Sequence, residues 1–173
     1  MARKNLATVV VGYDDVDDAL TDFRDLRVVH REHRVGDYEA AVVRSSDDGG
    51  HELVETTVDP KNRATLVCAG LGTVIGLVIS PVIAAAAVGA AIGAATGDIV
   101  DEFDAFKHSD LREVERLVGD SAVNLIAIAE EATLNAIAAA AGSRGRRLVV
   151  PFSEADIGVL ERELQRATID GPT

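Results

Sequence analysis

The residue types that could do chemistry fall in a few short clusters. "HREH" sets His30 and His33 three apart with Glu32 between them. On a helix both imidazoles would share a face, as a metal pair requires. Zinc proteases of the H-E-x-x-H type need histidines four apart, so this spacing points to a solvated helix end. His51 and His108 have no ligand-like neighbours in the sequence. "DDVDD" gathers Asp14, Asp15, Asp17 and Asp18. It lacks the glycine and the closing glutamate of a calcium-binding EF-hand loop. Acids in that pattern suit the positive end of a helix. "GLGTVIG" (70–76) faintly resembles a nucleotide loop, but it runs on into apolar residues and has no Gly-Lys-Ser/Thr. "SRGRR" (143–147) is a small basic spot, read as a solvated turn with anion or lipid-headgroup contact as the lesser alternative. Cys68 stands alone and reads as a small core residue. No Ser/His/Asp or Cys/His grouping emerges, so no catalytic residue, metal site or cofactor is expected.

The elements that position these clusters follow from patterning. "LATVVVGY" (6–13) is a β-branched run and predicts a buried strand. Asp14 or Asp15 then caps a helix with Val16, Leu20, Phe23 and Leu26 at helical spacing. A hairpin follows, with strands at Tyr38–Arg44 and His51–Val58 around a turn at Ser45–Gly50. Later come a helix capped by Ser109, a strand in "SAVNLIAIAE", and an alanine-rich helix stopped by Gly142. "RRLVVPF" is the last strand. Ser153 and Asp156 resemble a capping box opening the last helix, whose buried stripe is Ile157, Leu160 and Leu164. The fold class expected is α+β. The first six elements, β-α-β-β-α-β, would form a ferredoxin-like split unit, followed by an extra α-β-α. Residues 1–63 and 98–173 would make one domain, interrupted by 64–97.

The totals exclude some partners. The chain has 173 residues and a formal net charge of −12. A general nucleic-acid binder needs a basic surface, so none is expected. One cysteine cannot form an internal disulfide, and the short apolar run after Arg3 and Lys4 is not a signal peptide. A cytoplasmic location follows as an expectation, with attachment to the inner face of the cell membrane as an addition.

Residues 64–97 carry no charge, and Pro81 divides them into two arms of about 24 Å each as helices. That is short of a hydrocarbon core of roughly 30 Å. Both flanks belong to one sheet, so a helical hairpin returning to the same side is expected. Small residues recur every fourth position: Cys68, Gly72, Gly76 and Ser80 in the first arm, and Ala85, Gly89, Gly93 and Gly97 in the second. This spacing lets helix backbones approach closely, within the hairpin or between copies. The first arm also carries Leu66, Leu71, Val74, Ile75 and Val78, an apolar surface that lipid or protein must cover.

"VVVGYDDVDDAL", the Gly/Ala run "GLGTVIGLVISPVIAAAAVGAAIGAATG", "SAVNLIAIAEEAT" and "GRRLVVPFSEADIGVLEREL" together carry a resemblance. The chain resembles an uncharacterised bacterial family of predicted membrane proteins, domain of unknown function twelve-sixty-nine, from Leu6 to about Ala167. The resemblance implies a ferredoxin-like domain with a glycine-rich helical hairpin and supplies no catalytic residues. The expected function is non-enzymatic self-association, as a homo-oligomer, with possible membrane contact through 64–97. The alternative is a soluble domain that binds a small apolar ligand or senses stress, its hairpin closing a pocket.

Overall fold

A computed structural model describes residues 5–32, 36–46, 50–57, 66–78, 108–140 and 144–170. In chain order the elements are β1 (Leu6–Tyr13), α1 (Val16–Arg31), β2 (Tyr38–Ser45), β3 (His51–Thr56), α2 (Leu66–Val78), α3 (His108–Gly119), β4 (Val123–Glu130), α4 (Glu131–Ala140), β5 (Arg146–Pro151) and α5 (Glu154–Asp170). The class is α+β. The five strands form one antiparallel sheet in the order β3-β2-β4-β1-β5.

Apolar content sets this order. β1 is buried along its whole length and β4 at all but its last residue. Strands apolar at successive positions can only sit where both faces are covered. β3, "HELVET", has too little apolar surface for a central place and lies half-buried at the edge. This corrects the expected order. In a β-α-β-β-α-β ferredoxin unit the third strand would lie inside the sheet; here β4 holds that place, between β1 and β2. β1 and β2 therefore run parallel with β4 between them, and β4 and β5 run parallel with β1 between them. β2 and β3 pair with a register shift between Val42 and Val43.

Side-chain alternation divides the core into two layers. Ala7, Val9, Val11 and Tyr13 of β1 and Leu125 and Ala127 of β4 face α1 and α4, packing on Ala19, Phe23, Leu26 and Leu134. The opposite set, including Val10, Val43, Ile126 and Ile128, is equally buried. On that side α2 lies across β4 and β2 and touches both α3 and α5.

Caps hold the helix starts. Asp15 is the N-cap of α1, its carboxylate accepting from the Asp17 backbone N–H at 2.6 Å. The Ser153–Asp156 box is present: Asp156 N–H donates to Ser153 Oγ, and Asp156 Oδ2 accepts from the Ser153 N–H at 2.7 Å. α3 begins at His108, so Ser109 lies in the first turn rather than at the cap expected for it. In α5 the buried positions are Asp156, Val159 and Leu160; Ile157 is half-buried, and the Leu164 side chain lies outside the described residues.

Candidate functional site

The segment singled out in the sequence is described over α2. Leu71, Val74 and Ile75 are completely buried. Their cover is the subunit itself, since α2 rests on the sheet with α3 and α5 beside it. Gly72 is buried and Gly76 half-buried. Leu66, Cys68 and Val78 belong to α2, but their side chains lie outside the described residues, as do Ser80, Ala85, Gly89, Gly93 and Gly97 altogether. "GLGTVIG" is helix interior, so its glycines form no phosphate loop.

The sheet-facing glycine of α2 is Gly70, which the every-fourth-residue stripe omits. A Cβ there would lie 3.2 Å from Ile128 Cδ1 and 3.7 Å from Leu160 Cδ1. The missing side chain lets α2 settle onto β4. No described helix is long and apolar enough to cross a membrane.

A second cluster, missed in the sequence, lies where β1 ends. Asp22 of α1 is 0% exposed. The Tyr13 hydroxyl donates to its Oδ2 at 2.8 Å, and Arg144 Nη1 donates to its Oδ1 at 2.9 Å. Arg144 is thus no free solvated turn residue; its guanidinium neutralises a buried carboxylate from a partly exposed position. The signal was present in the spacing: Asp22 follows Ala19 by three and precedes Leu26 by four, on the buried stripe of α1. Burial first, then the hydrogen bond to Asp22, pushes the Tyr13 phenol well above its ordinary range. Such a phenol stays protonated and does no acid–base work near neutrality. Burial likewise raises Tyr38, to about 12. His30 meets the Tyr38 ring edge-on at 5.2 Å between centroids, and His33 lies outside the described residues.

Next to this triad the chain is packed to contact. A Cβ on Gly145 would fall 2.9 Å from the Gly12 carbonyl oxygen and 3.0 Å from Tyr13 Cε1. A Cβ on Gly12 would collide with Ser121. Ser121 Oγ donates to the Leu117 carbonyl at 2.7 Å and accepts from Arg146 Nη2 at 3.2 Å. Arg146 Nη2 also donates to the Asp120 carbonyl at 2.9 Å, so this cation closes the C-terminal end of α3. Outside it opens a cleft of about 230 Å³ lined by Glu113, Arg116, Leu117, Asp120, Arg146, Arg147 and Leu148. Ser121 is therefore committed to helix termination rather than poised as a nucleophile. Among the described residues, no group of three or more His, Cys, Asp or Glu side chains could hold a metal.

No family model matches the chain, and no curated protein and no solved structure matches it. What it does must be read from its own packing.

Proposed function

We propose that this chain is a non-enzymatic, self-associating protein in which an α+β domain presents a glycine-zipper helical segment for oligomerisation. The observation that supports this is the seating of α2. Leu71, Val74 and Ile75 point into the subunit. Successive helical residues turn by about 100°, so Gly72 and Gly76 lie roughly a third of a turn from the centre of that buried face. The bulky side of the helix is spent on the core; on the small-residue stripe Gly72 is buried within the subunit as well, and Gly76 is half-buried. The match of this stripe is the second one, Ala85, Gly89, Gly93 and Gly97. Two such stripes allow backbones to approach as closely as helix packing permits.

The finer fold reading belongs with this proposal. Setting β3 aside, the order β5-β1-β4-β2, with α1 joining β1 to β2 and α4 joining β4 to β5, supports a ferredoxin-like core. β3 would then be an added edge strand and 64–97 an insertion ahead of β4. The resemblance to domain of unknown function twelve-sixty-nine rests on this layout and on the segments quoted above.

Light scattering of the full chain in detergent-free buffer tests the assembly. The expected mass is a multiple of the 18.2 kDa subunit, falling toward the subunit mass in Gly93→Leu. A wild-type chain of single-subunit mass at micromolar concentration would overturn the proposal. Co-flotation of that monomer with lipid vesicles would point to membrane association instead.

A further inference from the structure

α3 meets the sheet through a narrow apolar stripe. Val114 and Val118 are buried and Leu117 is half-buried, while Arg112, Glu113, Glu115 and Arg116 are exposed. Such a stripe repeats at helical spacing, so its apolar contacts change little if the helix slides by one turn, about 5.4 Å. Directional contacts are needed to fix where along the sheet the helix stops. They gather at its C-terminal end, where the last four carbonyls of a helix have no intrahelical partner. Ser121 Oγ donates to the Leu117 carbonyl, but Ser121 belongs to the tail of α3 itself and moves with it. Arg146 Nη2 donates to the Asp120 carbonyl from a partly exposed position on β5.

The contact from inside the sheet is made by Asn124. It is the second residue of β4, completely buried, and lies opposite Gly12 of β1 and Val43 of β2. By strand alternation it shares the α2 and α3 face with Ile126 and Ile128. Its Nδ2 donates to the Val118 carbonyl at 3.4 Å. The same carbonyl accepts from the Ser121 N–H. Asn124 Oδ1 has no hydrogen-bond partner, and among the described residues it is the only buried side-chain oxygen or nitrogen in that state. A half-satisfied buried amide is worse for stability than an apolar side chain of similar size. What it supplies is position. If α3 slid one turn toward its C-terminus, carbonyls already bonded within the helix would replace that of Val118 above the amide. Both polar atoms of Asn124 would then lack a good partner, and the displaced arrangement is disfavoured.

We propose that Asn124 is the pin that sets the position of α3 on the sheet, and that the fold keeps it at a cost in stability. A single polar group in an apolar core fixes register in this way in other helical packings. α3 touches α2, so the pin also fixes one wall of the seat in which α2 lies. The inference stands independently of how the glycine stripes are used.

The test is Asn124→Val in the full chain, since valine suits a buried strand. The urea midpoint should be equal to that of wild type or higher. At the same time the Asp120 and Ser121 amides should exchange about tenfold faster than in wild type, with those of residues 126–128 unchanged. The methyl resonances of Val114 and Val118 should be single in wild type and doubled or broadened in the variant, as two positions of α3 become populated. A midpoint clearly below that of wild type overturns the cost in stability. Single, sharp methyl resonances with unchanged amide exchange overturn the pin. Should Asn124→Val not fold, Asn124→Thr, closer to asparagine in volume, is measured in the same way, and a lowered midpoint there as well is contrary to the proposal.

Discussion

One face of the sheet carries α1, a helix polar on its outer side, and the other is built around a helix apolar on nearly every side. α1 carries Asp17, Asp18, Arg24 and Arg31 outward and needs only the stripe Ala19, Phe23 and Leu26 to bury. α2, "LVCAGLGTVIGLV", has no charged residue at all. A helix apolar all round belongs inside a protein or a bilayer. The fold meets that demand by laying α2 on the sheet with α3 and α5 alongside. The faces also differ in how they fix their helices. The α1 face uses direction, through Tyr13, Asp22 and Arg144. The α2 face uses proximity, through the space left by Gly70 against Ile128. A polar lock specifies one register at some cost in stability, and close apolar packing contributes stability with less directional control.

The contrast breaks most severely on the α2 face. Ile75→Asp puts a carboxylate at a completely buried apolar position, and should destabilise the fold by at least about 4 kcal/mol. Urea unfolding would show loss of the native baseline, or a midpoint far below that of wild type.

On the α1 face the largest effect comes from stripping the buried carboxylate of its cation. Arg144→Leu should cost about 3 kcal/mol, moderated by the partial exposure of Arg144. Adding Asp22→Leu to it should recover part of that loss, because the charge that made the position costly is gone. A double variant no more stable than Arg144→Leu alone would mean that the residues do not act as a pair.

The smallest effect sharpens the role of the tyrosines. Tyr13→Phe should cost about 2 kcal/mol at neutral pH, for one buried hydrogen bond to a charged acceptor. It should also change the alkaline limb of the stability curve. The native phenol titrates above its unfolded value near 10, so its contribution is intact below pH 10. As pH rises past 10 the unfolded chain loses the proton while the native chain keeps it, and stability falls. Without Tyr13 that fall should be shallower between pH 10 and 12, leaving the part due to Tyr38, whose phenol is raised to about 12. Denaturant midpoints measured across that range read the difference directly.

Much of this fold is legible from periodicity. The strands at 6–13 and 38–45 and the caps at Asp15 and Ser153 follow from β-branched runs and short polar side chains ahead of helical stripes. Strand order is not legible in the same way, because chain sequence places β3 before β4 while burial decides which goes inside. "VNLIAIAE" is buried at seven of its eight positions and displaces the more polar "HELVET" to the edge. The demand that α2 leave water was readable from Leu71, Val74 and Ile75; the surface that covers them was not, since it lies on β4 and β2. Asp22 was hidden among many acids of α1, and only its phase on the buried stripe distinguishes it from Asp17 and Asp18. Its partner Arg144 lies 122 positions away, beyond any local pattern.

Hydrogen exchange of α2 tests most directly whether the subunit's own sheet covers this helix. In detergent-free buffer the amides of residues 71–76 should be protected to a degree comparable with those of 126–128 in β4. That protection should hold on dilution to nanomolar protein and should not increase when lipid vesicles are added. Rapid exchange at 71–76 without lipid, with protection gained only on vesicles, would contradict it.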